Sequence, residues 1–516
     1  MKSHGNILRS AGVVGCATAF SRILGFIRDV IIASVFGTSY VADAFFIAFR
    51  LPNLLRRLLG EGALSAAFIP VFTELRTRHG RSEAMRFAAV VFNVLILVLI
   101  VVSVAGVLMA PFMVRVLTLT FHGTDSKLAL TITLTRWIFP YIFFMGLAAL
   151  FMGLLNASDH FFFPALAPVC LNISLIGSVL LLGKYLPEGM EAKVWTLVVG
   201  VLAGGSLQVL VQIPMALKKG FRILVQFVHP ALAKVGRLMI PAVFGLAVTQ
   251  VNILVDTMLA WRLGTGSVSA LYYGNRLVQL PLGVIGIAIA TASFPSFSRQ
   301  VAEGDTTGLK KTLGFALRMT LFLMVPAAVG LIVLGKPIVR LLFERGAFDP
   351  VATEGTLLAL GYYAVGLAAY AAVKVLVPVF YSLGDAVTPV KVGAVCVVVN
   401  IVLNLLLMGP LSHGGLALAT SLSSLLNTGL LVWFLVRKWV IVPLSELGYC
   451  LLRVLGLSGV MGVGVALLSK RLAVIFGSAA TLGGVFIPVI TGVTGYMLLA
   501  RVLKFKEISE IGKTSV

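Results

Sequence analysis

Residues 29–55 read DVIIASVFGTSYVADAFFIAFRLPNLL, and residues 256–281 read DTMLAWRLGTGSVSALYYGNRLVQLP. Each sets an Asp, an Ala four residues on, a Gly-Thr pair, an aromatic pair and then Arg-Leu, so Asp29 answers Asp256 and Arg50 answers Arg276. Three further pairs keep a separation of 225 residues: Pro70 with Pro295, Arg115 with Arg340, and Pro164 with Pro389. Apolar helices share a small vocabulary, so a single match carries little weight. Several matches in order, at nearly one offset, mark an internal duplication.

The chain around these copies is built for lipid. Of its 516 residues 59% are hydrophobic and 12% charged, where soluble domains have roughly 45–50% and about 25%. A spanning helix needs about 20 mostly apolar residues. About fourteen such segments can be read, at roughly 8–36, 41–72, 87–118, 128–155, 161–183, 194–217, 237–262, 268–298, 312–335, 352–382, 388–409, 414–436, 447–469 and 477–503. The second is expected to break near LPNLLRR. Six segments separate the two copies, an even number, so the copies share one orientation and form parallel repeats about an axis along the membrane normal. The expected fold is an all-α polytopic membrane protein of about 14 transmembrane helices. Two pseudo-symmetric six-helix lobes (1–220 and 221–440) precede two C-terminal helices and a short tail (441–516).

The formal charge of +22 has a plain cause. With the N-terminus inside, the inner loops hold 21 Lys and Arg and the outer loops 9, which is the positive-inside bias with both termini cytoplasmic. No compact basic domain remains for nucleic acid. Cys16, Cys170, Cys396 and Cys450 lie in apolar runs without a CxxC pair, and read as small core residues. The first apolar run is too long and too charged for a cleaved signal peptide.

Charges inside the spans are the informative feature. The first two segments hold Arg22, Arg28, Asp29, Asp43, Arg50, Arg56, Arg57 and Glu61. A charge at a helix centre costs about 2.5–3.5 kcal/mol on insertion scales, so this cluster must pair internally or face water. Pairing alone does not balance it. Five arginines meet three acids, and Arg276 and Lys374 add positive charge from the second copy. On an ideal helix Arg22 and Asp29 share a face, while Arg28 points about 120° away from Arg22. The surplus predicts a cationic chamber between the lobes, and arginine is the side chain whose forked donors suit phosphate oxygens. Neither HExxH, GxSxG nor a P-loop occurs, so a non-enzymatic transporter is expected, with a gradient or the membrane potential as its energy source.

The segments FSRILGFIRD, DAFFIAFRLPNLLRRLLGEGALSAAFIPVF, LYYGNRL and PALAPVCLNIS resemble the MurJ (MviN) family, the bacterial lipid II flippases of the multidrug/oligosaccharidyl-lipid/polysaccharide (MOP) exporter superfamily. The resemblance covers nearly the whole chain. It implies two six-helix lobes plus a final helix pair forming a groove for the lipid tail. It also implies a role in peptidoglycan biosynthesis, cell-wall biogenesis and cell shape at the bacterial inner membrane. The implied substrate is lipid II, held by its pyrophosphate at Arg22, Arg28, Arg56 and Arg276. Asp29, Asp43, Arg50 and Glu61 are then the gating or orienting residues. Gln279 stands where some relatives carry an acid. Some relatives bind sodium in the second lobe. The matching residues are Asp256, Asn400, Asn404 and Thr420, with Asn404 a neutral oxygen where a relative has a second acid, and hydrogen bonding between helices is the competing reading. Membrane lipids and candidate cell-wall synthesis enzymes complete the expected partners. A multidrug exporter of the same superfamily would want an acid-rich cavity. A flippase for O-antigen or capsule units would suit the same cationic one, and a membrane scaffold would need no unbalanced charge.

Overall fold

Gly37 and Ser39 show how local chemistry sets the first helix boundary. Gly37 takes a positive φ of 55° after the first helix, a conformation that glycine adopts without steric cost. Two residues on, the Ser39 hydroxyl caps the next helix by accepting from the Ala42 N–H,. The structure, a computed structural model, describes residues 2–56, 64–120, 125–439, 442–475 and 482–508, of which 2–14, 242, 244–249 and 475 are described by backbone alone. Arg57 and Glu61 lie outside the described residues.

The chain parts into two compact units, Met1–Trp261 and Arg262–Val516. In the first, α1 (Lys2–Phe36), α2 (Tyr40–Leu55), α3 (Ser65–Arg78), α4 (Gly80–Thr118), α5 (Ser126–Ile138), α6 (Tyr141–Ala157) and α7 (Phe162–Gly177) follow in order. A π-helical turn, Ser178–Leu182, extends α7, and α8 (Met190–Leu210), α9 (Ile213–Lys218) and α10 (Leu232–Arg262) complete the run. The second unit holds α11 (Ser267–Pro281), a π-helical turn Leu282–Gly286 and α12 (Ile287–Ala302). After these come α13 (Thr306–Val333), α14 (Gly335–Phe343), α15 (Pro350–Val365), α16 (Leu367–Ser382), α17 (Val387–Trp439), α18 (Leu444–Ile475) and α19 (Leu482–Val502). No strand occurs among the described residues.

Among the described residues nine helical stretches are long and apolar enough to cross a membrane, and α15 with α16 makes a tenth span bent by 44°. One of the nine, α17, is two helices folded at Ser412, whose φ and ψ are 51° and −138°. That fold falls between the segments expected at 388–409 and 414–436. The helices α1, α2 with α3, and α10 coincide with the expected segments 8–36, 41–72 and 237–262, and α2 ends inside LPNLLRR.

The duplication is visible in the packing. In the first unit α2 packs on α5, and α3 packs on α4 and α6; in the second α11 packs on α15, and α12 on α13 and α16. Each unit has its own apolar core. Phe68, Phe72, Phe87 and Phe139 centre the first; Phe297, Val375 and Phe380 centre the second. A further cluster, with Phe322, Val454, Tyr496 and Phe505, fastens α18 and α19 to α13. Leu108, Phe112, Leu181, Leu452, Val460 and Leu498 point outward. In water they would be a liability; in hydrocarbon they are the solvated surface. Cys396 and Cys450 are buried as expected, but Cys16 is exposed.

Small residues bring α7 and α8 together. Gly200 and Gly204 form a GxxxG spacing on α8, and a Cβ on Gly204 would stand 2.9 Å from the Leu171 Cα on α7,. A backbone atom cannot step aside. Gly204→Val is therefore expected to cost about 2–3 kcal/mol of stability, read as a lowered thermal midpoint of the purified protein; an unchanged midpoint counts against this packing.

Asp385 closes the α17 hairpin. Its carboxylate accepts from the Thr388 N–H at 2.9 Å, the Thr388 hydroxyl at 2.7 Å and Lys438 Nζ at 2.7 Å. Lys438 foremost, then Thr388, lowers the Asp385 pKa to about 2. A depressed carboxylate stabilises the fold above its unfolded value of about 3.9 and loses that contribution as pH falls through about 2. Asp385→Ala is expected to cost about 1 kcal/mol at neutral pH, with the gap in thermal midpoint narrowing toward pH 3. A gap that widens with acid contradicts the pairing.

Candidate functional site

Arg22, Arg28 and Asp29 all belong to α1, yet their surroundings differ. Arg22 is exposed, and no hydrogen bond or ion pair engages it among the described residues. Arg28 is 9% exposed and Asp29 0%. Arg28 Nε and Nη2 both donate to Asp29 Oδ1, at 3.0 and 2.8 Å. Ideal helix angles had put Asp29 on the face of Arg22. Neighbouring residues do not face each other on a helix, but the arginine stem is long enough to wrap back to the next carboxylate. Arg28 Nη1 also donates to Asn172 Oδ1 on α7 at 3.0 Å. This pair is dry, so removing either partner would strand a buried charge.

Asp43, on the first turn of α2, is also fully buried. Lys127 on α5 is a partner, with its Nζ 2.9 Å from Oδ2. The same ammonium stands 4.1 Å from the Trp261 ring centroid, a cation–π distance. Arg50 is half-buried and donates from Nη1 to the Thr257 hydroxyl and the Ile253 carbonyl of α10. Arg56 Nε donates to Asn53 Oδ1 at 2.8 Å. Asp256, half-buried on α10, belongs to the first unit.

In the second unit Arg276 is half-buried, with its guanidinium 5.5 Å from the Tyr272 ring centroid. Lys374 is exposed on α16. Asn400 and Asn404 are buried on α17, and Asn404 Nδ2 donates to Asn400 Oδ1 at 2.9 Å. Thr420 Oγ1 donates to the Leu416 carbonyl at 3.0 Å. Both contacts run within a helix rather than between helices.

Arg318 and Arg453, inside spans of the second unit, are well engaged. Arg318 lies 2.7 Å from Glu446 and 3.4 Å from the buried Glu507. Arg453 stacks 4.1 Å over Phe505. Along α19 runs an apolar groove lined by Val493, Thr494, Met497, Leu498, Arg501 and Ile508.

Two residues escaped the sequence reading. Lys127 lies just before the segment read at 128–155, and only the fold turns it back under Asp43. Asn172 stood in a quoted motif; an amide in an apolar run was the available signal.

The fold is shared with a solved transporter of the MOP superfamily. An inward-facing multidrug resistance MATE family transporter of that superfamily shares the fold at a TM-score of 0.68 and 14% identity, covering 82% of this chain and 95% of that one. A solved lipid II flippase MurJ in an inward closed conformation matches more fully, with a TM-score of 0.80 and 27% identity over 95% of this chain and 99% of its own. The family model described as lipid II flippase MurJ matches residues 32–483. The probable lipid II flippase MurJ of Vibrio cholerae is 36% identical over 499 residues, covering 89% of this chain and 94% of the relative. That of Rhizobium meliloti is 39% identical over 438 residues, covering 84% and 81%. The chain belongs to the lipid II flippase MurJ family, and it is an integral membrane protein.

The buried Asp43–Lys127 pair gives a test of its own. Asp43→Asn leaves a desolvated ammonium and is expected to cost about 3 kcal/mol. Adding Lys127→Met recovers much of that loss. The measurement is the thermal midpoint of both single variants and the double; strict additivity contradicts a coupled pair.

Proposed function

We propose that this chain carries lipid II from the cytoplasmic to the outer leaflet of the bacterial cytoplasmic membrane by alternating access, with both termini cytoplasmic and no catalytic step of its own. Family membership over most of the chain gives the substrate class. The observation that carries the reading is Arg22, an exposed guanidinium on a helix otherwise fit for oil, with no acid engaged to it among the described residues. A diphosphate supplies the charge that such a group lacks, in a geometry arginine matches with paired N–H donors.

Arg22, Arg28, Arg56 and Arg276 take the pyrophosphate, while Asp29, Asp43, Arg50 and Glu61 orient or latch the arginines. The polyprenyl tail stays in lipid beside α18 and α19, where the apolar groove of α19 offers a bed. Ligand charge offsets the arginines and lets the transporter rock outward. Moving one negative charge out against an inside-negative potential of 100 mV releases about 2.3 kcal/mol, and the same field favours return of the empty cationic site. No step is routed through sodium at Asp256, Asn400, Asn404 or Thr420.

The test is flipping of lipid II in proteoliposomes under an imposed potential. Arg22→Ala and Arg276→Ala are each expected to slow flipping by about 10-fold or more, the loss of a charged hydrogen-bonded contact being worth about 1.5–3 kcal/mol. Wild-type rates in both variants overturn the clamp.

A further inference from the structure

Asn172 is 6% exposed on α7, and both ends of its amide are in use. Oδ1 accepts from Arg28 Nη1 at 3.0 Å, and Nδ2 donates to the Ser21 carbonyl of α1 at 3.0 Å. The partners fix which end is which, since a guanidinium only donates and a carbonyl only accepts. One side chain therefore holds both the backbone of α1 and the head of its buried arginine.

The other edge of that arginine faces Asp29. The two edges are held by different forces. Toward Asp29 the contact is ion to ion, with the full Coulomb attraction of a dry site; toward Asn172 it is ion to dipole. An arriving phosphate oxygen, itself charged, out-competes an amide but not a buried carboxylate. The Nη1 edge is the one a ligand can take.

We propose that Asn172 is a positioning residue for diphosphate binding, holding the Nη1 edge of Arg28 in register with a neutral grip that phosphate oxygens can replace. This rests on the reading of Arg28 as a pyrophosphate ligand. Asn172 acts through Arg28 and needs no ligand contact of its own. Its neutrality is the working feature. An Asp at this position would lock Arg28 between two carboxylates and repel the Ser21 carbonyl. An Ala would release the edge and leave it to wander.

The two substitutions separate this role from simple packing. If Asn172 only fills space, Asn172→Ala is the worse change, because Asp keeps the size and shape of Asn. If it positions Arg28, the order reverses. The experiment measures lipid II binding to the full-length protein in nanodiscs, with the thermal midpoint of each variant recorded alongside. Asn172→Ala is expected to weaken binding about 5-fold, the worth of one hydrogen bond. Asn172→Asp is expected to weaken it about 50-fold, because a second buried ion pair must be broken first. Asp binding as tightly as Ala, or more tightly, overturns the proposal. Asn172→Ser takes the place of Ala in the comparison should Ala fail to fold. Arg28→Ala is the control for the underlying reading: undiminished binding there removes Arg28 as a ligand, whereas lost binding there with wild-type binding in Asn172→Asp removes only Asn172.

Discussion

A guanidinium inside a spanning helix must be solvated by something other than lipid, and the way α1 meets this demand organises the first unit. Arg28 is solvated from within, by the next residue of its own helix and by one amide on α7. That amide holds α1 to α7 through the Ser21 carbonyl as well. The helix α7 is seated in turn on the GxxxG face of α8, where Gly204 meets the backbone at Leu171, one residue before Asn172. Close helix contact and charge placement are therefore one constraint. If α7 stands off from α1, Asn172 no longer reaches Arg28 and the Ser21 carbonyl.

The remaining buried charges follow the same logic at the helix ends. Asp43 is fully buried, and Lys127 meets it while lying against the Trp261 ring. Near the last helix pair the chain turns at Lys504, with φ of 52°, and carries Phe505 and Glu507 back inside. There Glu507 meets Arg318 of α13, and Phe505 meets Arg453 of α18. The last two helices, which stand outside the repeat, are thus tied to the second unit by ions as well as by the apolar cluster around Phe322. Each such tie is expensive to break by halves.

Much of this was legible in the sequence because hydrocarbon is an undemanding solvent to read. Apolar length marks spans, Gly and Pro mark their breaks, and the Asp29/Asp256 and Arg50/Arg276 correspondences expose the duplication whatever the packing. The bend at Ser412 was foreshadowed by the run GPLSHGG, which no straight apolar helix would carry. Partner choice was harder to see. Backbone angles place Cβ atoms, and the Asp29 Cβ does share a face with Arg22; yet a side chain with four rotatable bonds ignores that angle, and Asp29 is held by Arg28. Lys127 was invisible for another reason. A lysine next to a loop carries no sequence mark of whether it faces water or folds under a neighbouring helix. Asn172 lay in plain view, but the fold alone shows which of its many possible partners an amide meets.

The contrast between Arg22 and Arg28 bears on how such a protein can be both stable and responsive. Six residues apart on one helix, they lie about 9 Å apart along its axis, and their environments are opposite. Arg28 has its countercharge built in, so its presence costs the fold little and its release costs much. Arg22 carries its charge uncovered. A protein with only groups like Arg28 would be stable and inert; one with only groups like Arg22 would repel itself and resist closing. On the proposed reading, an incoming anion meets first Arg22, the charge that needs it, and then the amide-held edge of Arg28, in an order set by what each guanidinium already holds.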